Sequence, residues 1–344
     1  MAQLGCARPE DGSATFVKVL VTGGAGFLGK KVVSALLGDG HEPILLVRGG
    51  RRPGLSDEAT VIAGDVRNAE VFMAAAQGCE AIIHSAAMVK LWSPRTTDFD
   101  EVNVGGIKNA VATARAHQIR LVYTSSFMAV GPTSKSPVDE SAKHPGPPFH
   151  NDYERTKALA DAVAQDYARE GGDIVILYPG VVYGPGELTD GNIVAKMLAD
   201  RMNNRLPGIV GPGDRLWSYS FVDDVAQGHV KVLEHAGKGE RYLLAGENAT
   251  LTQVFAAASK RAERDLTPRK LPYGLSRVVG RAMWLWADIT GKPPDLTHQA
   301  VGIFEKDWAY RSDKAVRDLG YRVRSLQDGI DETIDWLVEE GHVS

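Results

Sequence analysis

The sequence is poor in cysteine and has no long apolar run, and both shortages exclude classes of protein. Its 344 residues include only Cys6 and Cys79, too few for a disulfide framework or a cysteine zinc site. No stretch reaches the roughly 18 uncharged apolar residues of a membrane-spanning helix. The opening MAQLGCARPEDGSATF lacks the apolar core of a signal peptide, and a polar tail is predicted over 1–15. We therefore expect a cytoplasmic protein in a reducing compartment.

The chain also lacks a large excess of charge of either sign. The chain carries 39 basic and 43 acidic side chains, a formal net charge of −4, which gives no bulk attraction for nucleic acid or an anionic membrane. The nine histidines show no metal-ligand spacing, so no metal is expected. The expected partner is a small molecule rather than nucleic acid, and a homodimer is left open.

One segment near the C-terminus has membrane-like composition. It runs from Leu275 to Ile289 but contains Arg277, Arg281 and Asp288. We expect an amphipathic helix packed within a lobe, with a helix lying in a membrane interface as the alternative.

Short apolar runs alternate with helical patterns through the first half. Such alternation predicts an α/β fold with a doubly wound parallel sheet covered on both faces. After Pro179 the pattern loosens, and five of the six tryptophans follow position 215. We predict a nucleotide-binding core over 16–180 and a smaller, mostly helical C-terminal substrate lobe over 181–344, with about 215–245 returning to the core. Core strands are predicted at 16–22, 43–48, 60–64, 81–84, 120–125 and 173–178.

A glycine-rich turn is the strongest local motif. Gly23, Gly26 and Gly29 follow the first strand and open a helix in the order TGGAGFLG. The first glycine allows a tight turn, the second lets the backbone approach a pyrophosphate, and the third allows close helix–strand packing. A dinucleotide would therefore lie against the start of this helix, at Phe27 and Leu28.

The end of the second strand indicates which dinucleotide. A carboxylate there would bind the 2′-hydroxyl of NAD, but Arg48 stands there, with Arg51 and Arg52 after it. Guanidinium groups favour the 2′-phosphate of NADP, so NADP is predicted over NAD. Asp65, followed by Val66 after the third strand, is a candidate acceptor for the adenine amino group.

Two Tyr-x-x-x-Lys pairs occur, Tyr153 with Lys157 and Tyr310 with Lys314. A phenol, with a pKa near 10, is too weak an acid to exchange protons readily at neutral pH. An adjacent ammonium group would lower that pKa. Tyr153 lies on the helix predicted after the strand that ends in Ser125 and Ser126, whereas Tyr310 lies in the C-terminal lobe. We therefore assign Tyr153 and Lys157 to catalysis and Tyr310 to structure.

The two serines stand where an open α/β sheet places its ligand. A hydroxyl there can hydrogen-bond a substrate carbonyl. Nearby, Asn103 is a candidate for binding main chain or water, and His84 is interpreted as a satisfied strand-end histidine.

These motifs together resemble the extended short-chain dehydrogenase/reductase family, in its dihydroflavonol 4-reductase-like branch near the 3β-hydroxysteroid dehydrogenases. TGGAGFLG, HSAA, YTSS, YERTK, YPGVVYGPG and FVDDVA occur in the family's order. The resemblance implies a Rossmann-type fold and a catalytic triad of Ser126, Tyr153 and Lys157, with Ser126 preferred over Ser125. It further implies that Lys157 holds the nicotinamide ribose. The cofactor contacts that it implies also include Ala86, Ala87, Tyr178, Pro179, Gly180 and Val181.

The expected activity is NADPH-dependent reduction of a ketone or aldehyde on a bulky apolar molecule, reversible as an alcohol dehydrogenase. Candidate substrate contacts are Met88, Trp92, Phe127 and Tyr183. A nucleotide-sugar epimerase, whose diphosphate would bind Arg201, Arg205 and Arg215, is the first alternative. A non-catalytic NADP-binding regulator is the second.

Overall fold

The computed structural model describes residues 17–50 and 54–343. Most helices and strands are arranged around one central sheet. Its first strand carries consecutive buried side chains, Val19, Leu20 and Val21, so both faces of the sheet have to be covered by helices. The strands of the described residues are β1 Lys18–Thr22, β2 Glu42–Val47, β3 Thr60–Ala63, β4 Ala81–His84, β5 Arg120–Thr124, β6 Ile174–Pro179, β7 Val181–Tyr183, β8 Ile209–Val210, β9 Leu216–Phe221, β10 Arg241–Leu244, β11 Glu247–Thr250 and β12 Lys270–Leu271.

Helices connect these strands and form most of the C-terminal region. In the described ranges they are α1 Phe27–Gly38, α2 Ala69–Ala75, α3 Thr97–Phe99, α4 Gly106–His117, α5 Phe127–Val130, α6 Asp152–Arg169, α7 Ile193–Met202, α8 Val222–His235, α9 Leu251–Arg261, α10 Tyr273–Thr290, α11 His298–Phe304, α12 Asp313–Leu319 and α13 Leu326–Glu339.

Seven parallel strands of the described chain form the central sheet in the order β10-β6-β5-β4-β1-β2-β3. Helices α1, α8 and α12 lie on one face, and α2, α4 and α6 lie on the other. The strand order reverses between β1 and β4, which is where such sheets bind ligands. The predicted Rossmann-type doubly wound fold is confirmed.

The C-terminal half does not separate cleanly from this core. Strand β10 completes the sheet beside β6, and α8 packs against α1. Helix α12 also packs against α8 and β10, although it was predicted to belong to the substrate lobe. Outside the core, α7, α9 and α13 pack together, and α10 packs against α11.

Helix α10 contains the segment that was expected to pack by its apolar face. Its buried side chains are instead the small ones, Ser276 and Ala287, with Gly280 between them, while Leu285 and Ile289 are exposed. The expected helix does pack within the lobe, against α11. Its small side chains form the buried face because α11 approaches closely: a Cβ at Gly280 would lie 2.7 Å from the backbone nitrogen of His298. Across the described residues, no helix is both long and apolar enough to cross a bilayer.

Candidate active site

The glycine turn between β1 and α1 closes around its own backbone. Gly23 has φ +77°, and a Cβ there would lie 2.6 Å from the backbone nitrogen of Ala86. A Cβ at Gly29 would lie 2.0 Å from the carbonyl oxygen of Gly23. Both positions therefore require glycine.

The start of α1 provides a cradle for an anion. Its N-cap is Gly26, which has no side chain to cap the helix, and no acidic residue stands in the first turn. The N–H groups of Phe27, Leu28 and Gly29, at the positive end of the helix dipole, have no acceptor within the helix. This cradle fits a dinucleotide pyrophosphate.

Hydrogen bonds fix the opposite wall of the cleft, where β1 meets β4. Ser85 Oγ donates to the Thr22 carbonyl oxygen at 2.7 Å, and the Ala86 N–H donates to Thr22 Oγ1 at 3.3 Å. Thr22 Oγ1 also lies 2.8 Å from Nδ1 of His84. His84 is only half satisfied, since its buried Nε2 has no hydrogen-bond partner among the described residues, and burial lowers its pKa to about 3. Ala86 and Ala87 follow directly in the cleft.

Arg48 and Asp65 follow the carboxyl ends of the neighbouring strands β2 and β3. Asp65 accepts hydrogen bonds from Arg67 Nε at 3.0 Å and Nη2 at 2.8 Å. Arg67 chiefly, with a smaller contribution from Arg48, lowers the pKa of Asp65. The backbone carbonyl of Val66, next to it, accepts from Asn109. Arg51 and Arg52 lie outside the described residues.

The two serines after β5 have different partners. Buried Ser125 donates from Oγ to Asp161 Oδ1 at 3.0 Å. Ser126 caps α5, accepting from the Met128 N–H at 3.2 Å, and its hydroxyl also interacts with the Tyr153 phenol. Of the two serines, Ser125 is therefore engaged with Asp161, and Ser126 is the one that acts on the pKa of the tyrosine.

Tyr153 and Lys157 lie one turn apart on α6, whose N-terminus is capped by Asn151. Burial raises the pKa of Tyr153 to about 12, opposed by the hydrogen bond with Ser126. Burial also lowers the pKa of Lys157 to about 7, although Asp161 opposes this. The expected lowering of the phenol pKa by its lysine is not seen in the protein alone, because this buried amine is itself held near neutrality.

Lys157 is held by groups that the sequence motifs did not indicate. Its Nζ donates to the Thr124 carbonyl oxygen at 2.8 Å and lies 5.2 Å from the centre of the Tyr123 ring. Asp161, one turn further along α6, is buried and has a raised pKa because of that burial. Its signal in the sequence was the spacing of four from Lys157, which places both groups on one face of the helix.

Asn103 ties the loop after β4 to α6. Its Oδ1 accepts from the Met88 N–H at 2.7 Å, and its Nδ2 donates to Thr156 Oγ1 at 2.9 Å. It sits in a π-helical turn at Asp100–Gly105, a feature often found at functional sites and without a clear sequence signature. The predicted main-chain contact of Asn103 is confirmed.

The second Tyr-x-x-x-Lys pair lies elsewhere. The buried Tyr310 hydroxyl donates to the Gly131 carbonyl oxygen at 2.6 Å, supporting the end of α5. Lys314 Nζ pairs with Glu240 and lies 4.6 Å from the centre of the Tyr242 ring. This pair is therefore structural.

A cavity of about 360 Å³ lies between the loop after β4, the start of α6 and α10. Trp92 lines it and donates from Nε1 to Asp288 Oδ1 of α10 at 3.0 Å. Phe127 packs edge-on against Trp308, and Tyr183 packs edge-on against Phe221. These two candidate substrate residues therefore belong to the core rather than to a pocket wall.

The stretch predicted to face the nicotinamide lies beside the serines, at the end of β6. Tyr178, Pro179, Gly180 and Val181 are all buried there. Gly180 has to be small, since a Cβ would lie 2.6 Å from the carbonyl oxygen of Ser218.

The profile of the NAD dependent epimerase/dehydratase family matches residues 19–245, which include the glycine turn and the serine, tyrosine and lysine. The chain belongs to this family. It is therefore an NAD(P)-dependent enzyme that acts on hydroxyl or carbonyl groups, and the predicted resemblance is confirmed.

Three similar proteins show how far the likeness extends. A protein of Synechocystis sp. named as a dihydroflavonol 4-reductase is 30% identical, over 94% of this chain and 95% of its own. A 2-alkyl-3-oxoalkanoate reductase of Stenotrophomonas maltophilia is 28% identical, over 91% and 97%. The fold of UDP-glucose 4-epimerase from Thermotoga maritima matches with a TM-score of 0.76 at 22% identity, covering 94% of this chain and 99% of that one.

Gly29→Ala should abolish dinucleotide binding, because the new Cβ would overlap the Gly23 carbonyl oxygen. The matched control is Gly38→Ala at the other end of α1, where a Cβ meets nothing within 4 Å. Calorimetric titration with NADPH should show binding lost in the first variant and kept in the second. Equal affinity in both would contradict the assignment of the turn.

Lys157 should make stability rise with pH. Its ordinary pKa of 10.5 applies in the unfolded chain and a value of about 7 in the folded one, so between them the unfolded state binds more protons. The free energy of unfolding should therefore increase by on the order of 1 kcal/mol between about pH 7 and 8.5. Urea titrations at several pH values should show this slope, and Lys157→Met should flatten it. An unchanged slope in the variant would count against a near-neutral lysine.

Proposed function

We propose that this protein is an NADPH-dependent reductase of a ketone or aldehyde on a bulky, largely apolar small molecule, and the reverse alcohol dehydrogenase. The observation that carries the proposal is the position of Ser126, which follows β5 as the N-cap of α5, while α5 packs against the helix α6 that carries Tyr153. That edge of the sheet also carries the glycine turn. A proton donor and a hydrogen-bond donor thus stand where a carbonyl would meet the dinucleotide.

Each residue of the triad has a distinct role. The dinucleotide, when bound at the glycine turn, supplies the hydride. Ser126 donates a hydrogen bond to the substrate oxygen and orients it. Tyr153, protonated at neutral pH because its pKa is about 12, gives its proton to the oxygen as the alcohol forms. Lys157, when protonated, stabilises the phenolate that remains and binds the nicotinamide ribose.

The preference for NADP rests on Arg48. It stands at the end of β2, and its charge acts on Asp65 beside the next strand. A guanidinium at this point suits a 2′-phosphate. Asp65 already accepts from Arg67 and would receive the adenine amino group on a remaining lone pair.

Part of the cavity wall favours an apolar substrate. Leu91, Trp92, Phe99 and Trp284 form this apolar part, and Met88 precedes it on the same loop. The rest of the lining is polar and includes Ser93, Thr96, Asp152, Asp288 and Gln299. The relatives named as reductases of dihydroflavonols and of 2-alkyl-3-oxoalkanoates support the same class. Burial of apolar surface contributes about 25 cal/mol per Å², so a fused-ring or alkyl substrate gains several kcal/mol.

The epimerase alternative is weaker because its candidate cations are engaged separately. Arg201 donates to the Leu266 carbonyl oxygen, Arg205 after α7 pairs with Asp200 of that helix, and Arg215 lies beside Asp307. A non-catalytic regulator is disfavoured because Tyr153 and Lys157 are both kept.

Tyr153→Phe should lower turnover by about 10²- to 10⁴-fold, because it removes only the transferred proton. NADPH affinity should change little. Steady-state rates with a panel of apolar ketones and aldehydes, followed by NADPH absorbance, test the first point, and titration tests the second.

Tyr310→Phe is the matched control. It should keep turnover but lower the free energy of unfolding by about 1–3 kcal/mol, because the Gly131 carbonyl oxygen loses its donor. If Tyr310→Phe stops turnover and Tyr153→Phe does not, the catalytic tyrosine is misassigned.

Arg48→Asp should weaken NADPH binding by at least about tenfold, or about 1.4 kcal/mol, and improve the relative affinity for NADH. Calorimetric titration of both cofactors against both proteins measures the change. Equal affinity of the unaltered protein for NADPH and NADH would refute the preference.

A further inference from the structure

Helix α10 presents a stripe of large apolar side chains to solvent. Leu275, Val278, Val279, Leu285, Trp286 and Ile289 are each between 43% and 80% exposed. At 3.6 residues per turn they fall within an arc of about 120°. Isolated apolar residues are ordinary on a surface, but a continuous stripe along about four turns marks a contact surface.

The stripe is exposed because the opposite face of α10 is the one that packs against the protein. The opposite face of α10 is occupied, since Gly280 lies against Thr297 and His298, and Ser276 and Ala287 are buried. If the helix rotated to bury the stripe, large side chains would take the place of Gly280. They would then clash with the backbone at the start of α11, which lies in contact with that glycine.

Basic residues outnumber acidic ones along α10 and at its two ends. Between 269 and 292 the sequence has five basic residues, Arg269, Lys270, Arg277, Arg281 and Lys292, and one acidic residue, Asp288. All six are exposed, although Arg277 pairs with Glu305. This local excess is opposite in sign to the net charge of −4 of the whole chain.

We propose that the exposed face of α10 binds the surface of an anionic lipid bilayer. Its apolar stripe, defined by the six side chains above, enters the interface while the flanking arginines and lysines meet the headgroups. A second copy of the chain is the competing occupant, and it would bring the same excess of basic residues to the contact rather than an opposite charge.

The same helix lines the cavity through Trp284, Ala287 and Asp288. Docking by α10 therefore brings that cavity to the bilayer surface, where an apolar carbonyl compound would be concentrated. This consequence rests on the proposed reductase function, whereas bilayer binding itself does not.

Flotation of the full chain with phosphatidylcholine vesicles, with and without phosphatidylglycerol, tests the proposal. Binding should require the anionic lipid and weaken with added salt. The double variant Leu285→Glu/Ile289→Glu should reduce the bound fraction by about tenfold or more. The control Val316→Glu changes a similarly exposed apolar residue on α12 and should bind like the unaltered protein.

The variants alter exposed side chains, so circular dichroism and turnover of a water-soluble carbonyl compound should be unchanged. Three results would overturn the proposal: absence of vesicle binding, binding that the double variant retains, and an α10-dependent dimer seen by sedimentation without lipid. Failure of reductase turnover in the unaltered protein would overturn the proposed function and leave the vesicle result intact.

Discussion

The site depends on one close approach of backbone to backbone, where β1 and β4 meet at the reversal of the strand order. Gly23 lies so near Ala86 that no side chain fits, and Gly29 lies even nearer to Gly23. These contacts fix the start of α1 at the carboxyl edge of the sheet. The serines, α6 and the cavity follow from the same edge, because parallel strands deliver their ends to one side.

Behind this edge lies a buried polar group of Lys157, Asp161 and Ser125. Burial acts in opposite senses on the two charged members, lowering the pKa of the lysine and raising that of the aspartate. Both pKa values are therefore displaced toward neutral pH relative to water. The protonation of both groups is then sensitive to any charge that enters the cleft. A site of this kind responds electrostatically to its cofactor.

Local patterns predicted much of this arrangement. The helix that carries Tyr153 and the glycine turn follow from local sequence patterns and from residues with single conformational roles, and both appear as expected. Long-range contacts could not be predicted in that way. The return of α12 to the core, the packing of Phe127 against Trp308 and the orientation of α10 depend on which elements meet in space. In α10 a periodic apolar stripe normally indicates the buried face, and here tertiary packing reversed it.

The C-terminal chain crosses between core and lobe more than once, through β10 and again through α12. A single cut therefore cannot separate the part that binds the dinucleotide from the part that surrounds the substrate. Exchanging substrate specificity with a relative by fusing one half of each chain would leave the sheet without its edge strand. Only short loops and single helices, such as the loop after β4 or α10, can be exchanged while the sheet remains complete.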